Sequence, residues 1–126
     1  MKTQKFDLEE RTAIFGENVI KFAKNVKPNP VNTPLINQVV RSATSVGANY
    51  CEADDASSKK DFIHKIGLCR KEARETKHWL RMLAIAETNS RDELAQLWQE
   101  AKELHLIFAS IVRNGRENMC IETLKT

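Results

Sequence analysis

Apolar residues recur along this chain at alternating spacings of three and four, and they do so in four separate runs. Leu8, Phe15, Val19, Phe22 and Val26 form the first; Ile36, Val39, Ala43, Val46, Tyr50 and Ala53 form the second. The third is Phe62, Ile66, Cys69, Ala73, Thr76, Leu80 and Leu83, and the fourth is Leu94, Leu97, Ala101, Leu104, Phe108 and Ile111. A three-and-four alternation keeps one stripe of an α-helix facing one way, so each run predicts an amphipathic helix. It is also the 3.5-residue repeat of left-handed knobs-into-holes packing.

The joints between the runs are short. Asp7, with Glu10 three residues on, predicts the start of the first helix. Lys27-Pro28-Asn29-Pro30-Val31-Asn32 ends it, and Thr33 as N-cap with Pro34 at the first helical position restarts the chain. Asp54-Asp55-Ala56 breaks the second helix, and Ser57 or Ser58 caps the third. Thr88-Asn89 forms the last turn, and Gly115 is the expected C-terminal cap of the fourth helix. The expected helices are 8–26, 34–53, 59–86 and 91–114, with 115–126 as a loosely held tail. Short joints make neighbouring helices antiparallel, so the fold class is all-α: an antiparallel up-down-up-down four-helix bundle in one domain, 1–126.

Composition narrows the class further. The 126 residues are 41% hydrophobic and 29% charged, as in a folded globular chain, and four Gly and three Pro suit few long elements. No apolar run is long enough for a membrane span, and the N-terminus lacks the apolar core of a secretory signal. Cys51, Cys69 and Cys120 are odd in number and widely spaced, which points to a reducing, cytoplasmic setting.

The net charge of +3 matters less than where the charges lie. From Lys59 to Arg81 eight Lys/Arg face Asp61, Glu72 and Glu75, a net of +5; from Arg91 to Val112 two cations face four carboxylates, a net of −2. Two positions before each residue of the third run lie Lys60, His64, Gly67, Lys71, Arg74, His78 and Arg81. Two residues turn a helix by about 200°, so this stripe points outward and offers a polyanion one contact per turn. A solvated outer face is the plainer alternative. On the flanks lie Leu68, Trp79 and Met82, and Trp98 with Val112 on the fourth helix. These suit either an oligomer interface or a widened core stripe.

Catalytic and metal-binding patterns are missing. Glu75-x-x-His78 is a single Glu-x-x-His, where a di-iron bundle needs two with further carboxylates. His64 and His78 lie about 21 Å apart at about 1.5 Å per residue, too far to share an ion. Cys69 is a core position and Cys51 has no local histidine, so neither reads as an activated nucleophile. Nothing in these residue patterns argues for a cofactor, a metal or an enzyme.

The run Val40-Arg41-Ser42-Ala43-Thr44-Ser45-Val46-Gly47-Ala48-Asn49-Tyr50-Cys51-Glu52-Ala53 resembles the "RSATSIGANIxEA" segment of a bacterial family of four-helix-bundle proteins. These are related to proteins encoded within intervening sequences of 23S ribosomal RNA genes. Ser58 to Phe62 and Lys71 to Leu80 are similar to the same family's "S-x-x-x-F" and "KEAxETxxWL" elements. The similarity runs roughly from Phe6 to Gly115, with Tyr50, Cys51 and His78 departing mildly from the pattern. It implies a cytoplasmic homo-oligomer, often a pentameric ring. A related branch, the accessory protein of diversity-generating retroelements, is thought to bind RNA and a reverse transcriptase through a basic ring. No enzymatic activity comes with the resemblance. The shared Arg41, Asn49, Glu52, Glu72 and Glu75 suggest a polar network between the second and third helices, with Glu72 or Glu75 answering Arg41. The expectation is therefore a non-enzymatic homo-oligomer that contacts structured RNA through the third helix. A scaffold binding a protein partner through the apolar flanks is the alternative.

Overall fold

The computed structural model describes the backbone from Gln4 to Lys125, and side chains from Leu8 to Ile121 together with Leu124. It contains α1 (Gln4–Lys24), α2 (Asn32–Asp54), α3 (Lys59–Ala86) and α4 (Arg91–Lys125), with a 3-10 turn at Thr88–Ser90 before α4. Contacts between neighbours give their directions. Along α2, Asn32, Ser42 and Glu52 meet Glu87, Thr76 and Lys65 at the α3 side, so one index falls as the other rises. Gly16 and Gly47 approach Thr44 and Thr12 across α1 and α2. Ile63 meets Gly115 and Lys77 meets Trp98 across α3 and α4. Neighbours are antiparallel, and the diagonal pairs α1/α3 and α2/α4 face each other across the core without their backbones meeting. The chain is an all-α four-helix bundle.

The four sequence runs become the four inner stripes. Phe15, Val19, Phe22, Val39, Ala43, Val46, Ile66, Cys69, Leu80, Leu83, Leu104 and Phe108 are all buried. Burying a large apolar side chain contributes ~1.5–3 kcal/mol, more than an exposed ion pair does, so these stripes rather than surface charges hold the bundle. Two stripe positions shift by one residue. Ile63 is buried where Phe62 was expected, and Val112 is buried where Ile111 was expected; Phe62 and Ile111 pack half-buried beside them.

Gly115 accounts for the first shift and corrects the expected end of α4. No glycine in the chain has positive φ, so Gly115 does not cap a helix. It lies inside α4, which continues to Lys125, and residues 115–125 are helical rather than a loose tail. A Cβ added at Gly115 would lie 2.8 Å from both Cγ1 and Cδ1 of Ile63. The glycine is space for Ile63, which draws that side chain inward ahead of Phe62.

The caps follow local chemistry. Ser58 Oγ accepts from the Asp61 N–H at 3.0 Å and starts α3. At α2 the expected cap Thr33 is displaced by Asn29, whose Oδ1 accepts from the N–H groups of Val31 (2.9 Å) and Asn32 (2.7 Å). The helix therefore begins at Asn32, and Pro34 falls within the first turn, where its missing donor costs no helical bond. α1 begins by Gln4, so Asp7 lies within it rather than at its start; the Asp7 side chain is outside the described residues.

Candidate nucleic-acid interface

Cations on this bundle fall into two groups. One group is neutralised by carboxylates of neighbouring helices. Arg11 bonds Glu100 at 2.8 Å and Glu103 at 2.9 Å, and these carboxylates hold its guanidinium well above its ordinary pKa. Lys65 pairs with Glu52 at 2.9 Å. Arg41 reaches from α2 to Glu72 of α3 at 3.4 Å and forms a closer ion pair with Glu75, whose Oε2 also accepts from Trp79 Nε1 at 2.9 Å. Of the shared motif residues, Arg41, Glu72 and Glu75 thus meet in one cluster with Trp79. Glu52 bonds elsewhere along the same interface, and Asn49 donates to Ser45 O of its own helix at 2.9 Å.

The second group is unneutralised. Arg70, Lys71, Arg74 and Arg81 on α3, and Arg91, Lys102, Arg113 and Arg116 on α4, are exposed and have no carboxylate partner among the described residues. Spacing explains why they share a side. Arg70, Arg74, Lys77 and Arg81 repeat at four, three and four along the α4-facing flank of α3. Arg91, Trp98, Lys102, His105, Arg113 and Arg116 follow the same helical period along the α3-facing flank of α4. The contacts agree with that placement. Lys77 Nζ from α3 and Lys102 Nζ from α4 each lie 5.7 Å from the centre of the Trp98 ring, within cation–π range.

His105 registers the resulting field. Its ring is half-buried in the same seam, and its Nδ1 is buried without a hydrogen-bond partner. Burial, then Lys77, Arg70 and Arg74, hold its pKa below the ordinary imidazole value. The three cations add to burial in disfavouring a proton there.

Lys60, His64, Lys71, Arg74, His78 and Arg81 are all exposed on α3. His78 stacks edge-on against Trp79, with ring centres 4.9 Å apart. The half-buried Leu68, Trp79 and Met82 do not join Trp98 in one patch: Trp79 belongs to the α2 side of α3 through Glu75, and Trp98 to the α4 side through Lys77. The large apolar side chains that remain open to solvent include Ile14 and Ile20 on α1, Ile85 on α3, and Leu106 and Ile121 on α4. Leu106 borders an apolar groove shared with Leu8, Tyr50, Phe62, Ile107 and Ile111.

Catalytic chemistry finds little material. The Cys69 thiol is pushed up to about 12 by burial, which leaves it an inert core group. Cys51 and Cys120 are exposed free thiols. Among the described residues no three His, Cys, Asp or Glu side chains are grouped to hold a metal ion, and no helix is long and apolar enough to cross a membrane.

No curated protein matches the chain. Among solved structures, the chain resembles a protein of unknown function from the S23 ribosomal protein family of Bacteroides thetaiotaomicron VPI-5482. The TM-score is 0.73 at 30% identity, over 83% of this chain and 97% of that one. The 23S rRNA-intervening sequence protein family matches residues 4–110. Neither likeness brings an enzymatic activity with it. With four helices in this order and a match across most of its length, the chain belongs to the 23S rRNA-intervening sequence protein family.

Proposed function

We propose that this protein acts without catalysis, as a cytoplasmic homo-oligomer that binds structured RNA through the cationic seam of α3 and α4. The observation that carries the reading is the sorting of charge. Arg11, Arg41 and Lys65 are held by carboxylates of neighbouring helices, whereas the cations flanking Trp98 and His105 have no carboxylate partner among the described residues. Cations recurring about once per turn on α3, and about every three turns along the facing flank of α4 as far as Arg113, present a positive strip to a phosphate backbone. The strip extends the outer stripe of α3 onto α4.

Self-association is assigned to the apolar groove. The apolar groove of Leu8, Tyr50, Phe62, Leu106, Ile107 and Ile111 draws its lining from all four helices, near the start of α1. Exposed Glu9, Glu10 and Glu17 on α1 and Glu103 on α4 make the neighbouring surface acidic. An acidic, partly apolar side and a basic side on one molecule favour head-to-tail contact between copies, which closes into a ring when the rotation permits. The family resemblance implies five subunits.

Size exclusion with light scattering, with and without a structured RNA at two salt concentrations, tests both parts. A multimer that gains mass with RNA and releases it as salt rises is the expected result. A multimer indifferent to RNA would transfer the apolar groove to a protein-scaffold role. A monomer indifferent to RNA would overturn both parts.

A further inference from the structure

At one end of the cationic seam, beside the turn that joins α3 to α4, lies an open groove of about 780 Å³. Leu80, Ala84, Leu94 and Ala95 give it an apolar lining, and the Trp98 indole borders it, with Lys77 and Lys102, which lie over that ring, outside the lining. Arg81 and Arg91 line it from opposite helices, and neither has a carboxylate partner among the described residues. Asp92 is the sole carboxylate lining it, beside Gln99.

A duplex backbone has no use for an indole beside an apolar lining. Those features suit a flat, unpaired base, because stacking on an aromatic face needs a base free of its partner. Arg81 and Arg91 supply positive charge for the phosphate of the same nucleotide. Asp92 offers a carboxylate to the edge of such a base. A carboxylate accepts two hydrogen bonds side by side, and among the four bases only guanine presents two adjacent donors, N1–H and N2–H, on its pairing edge. Gln99 already donates to Glu103 at 3.1 Å, which leaves its carbonyl oxygen as a further acceptor beside the groove.

We propose that this groove holds a single unpaired guanosine nucleotide of the bound RNA, its base on Trp98, its pairing edge on Asp92 and its phosphate between Arg81 and Arg91. The assignment rests on the RNA-binding reading and adds to it a requirement for a looped-out or single-stranded guanosine.

The test uses the full chain carrying Trp79→Phe, so that Trp98 is the remaining tryptophan. Two signals are followed together: anisotropy of labelled RNA for binding, and Trp98 emission for occupancy of the groove. The probes are a hairpin with one unpaired guanosine in its loop, the same hairpin with uridine there, and a fully paired duplex of equal length. The guanosine hairpin is expected to quench Trp98 and to bind about tenfold more tightly than the uridine hairpin, the duplex binding without quenching. Trp98→Ala is expected to lose about that tenfold factor. Asp92→Asn, a surface change that leaves the fold alone, is expected to erase the preference for guanosine while keeping duplex binding. RNA binding with no quenching, and with guanosine and uridine equal, overturns the groove assignment and leaves the RNA reading standing. Absence of binding to all three probes overturns the RNA reading and the groove assignment with it.

Discussion

The hydroxyls of Ser42 and Thr76 lie 2.8 Å apart in the fully buried centre of the α2–α3 interface. Thr76 Oγ1 is also 2.7 Å from the Glu72 carbonyl of its own helix, so the pair satisfies itself without water. A buried hydroxyl left without its partner costs about 1–3 kcal/mol, whereas removing both partners of a matched pair is close to neutral. Thr76→Val alone should therefore destabilise the protein by about 1–3 kcal/mol. Ser42→Ala added to it should recover much of that loss. Urea denaturation of the two single variants and the double variant measures the coupling, and strict additivity would show that the hydroxyls do not depend on each other.

Gly115 and Ile63 form a second coupled pair, of opposite character. An alanine in mid-helix is worth about 1 kcal/mol over glycine, but at position 115 its Cβ would sit 2.8 Å from Ile63. Overpacking of that kind costs about 1–3 kcal/mol. Gly115→Ala is expected to be neutral or destabilising in the natural chain, and stabilising in an Ile63→Ala background, where the obstructing atoms are gone. The change of sign in a thermal-unfolding cycle is the diagnostic result.

These pairs show what a single sequence conceals. The helix runs were legible because the three-and-four spacing depends only on neighbours along one helix. Gly115 was misread as a cap because a glycine near the end of an apolar run looks the same whether it frees the backbone or makes room for Ile63 across an interface. The cationic flank of α4 was hidden for another reason. Summed along the chain α4 is acidic, but Arg91, Lys102, Arg113 and Arg116 lie on one flank, while Glu100 and Glu103 face Arg11 on the other. The charge of α4 separates by helical face and not by segment, and Trp98 and His105 lie on the same period as its cations. The link from Arg41 to Glu72 and Glu75 was within reach of sequence reasoning because it joins adjacent helices at matching heights.

Gly67 is a different case from Gly115. It sits in the middle of α3 among the cations, and a Cβ there would meet nothing within 4 Å. No packing reason opposes Gly67→Ala, which should stabilise the fold by about 1 kcal/mol. If an RNA backbone passes close over this point, the same substitution should weaken RNA binding although it stabilises the protein. Melting temperature and RNA affinity measured on one variant therefore separate the two demands; a rise in both would show that nothing approaches Gly67 closely.

Neutralising the seam should change the salt dependence as well as the affinity. Removing one phosphate-binding cation reduces the slope of log affinity against log salt by about 1. Lys71→Gln, Arg74→Gln and Arg81→Gln combined should reduce it by about 3, whereas Lys21→Gln with Lys24→Gln, on α1, should leave it unchanged. Equal slopes for the seam triple variant and the natural chain would remove these side chains from the interface. Full charge reversal at the same three positions should abolish binding at moderate salt.

His105 supplies a pH dependence whose sign is fixed by its surroundings. Its folded pKa lies below the ordinary imidazole value of 6.5, through burial first and then the nearby Lys77, Arg70 and Arg74. The unfolded chain therefore takes up the proton before the folded one does. The stability His105 contributes is complete above pH 6.5 and is lost as the pH falls from there toward its folded value. A polyanion laid along the seam cancels the repulsion from the three cations and raises the pKa, so binding takes up a proton. RNA affinity should accordingly rise as pH is lowered from about 7 toward about 6, beyond the change seen in a His105→Gln variant. Titration of the His105 ring signal by NMR, free and RNA-bound, measures the effect directly: an upward displacement on binding is expected, and an unmoved titration would place the RNA away from α4.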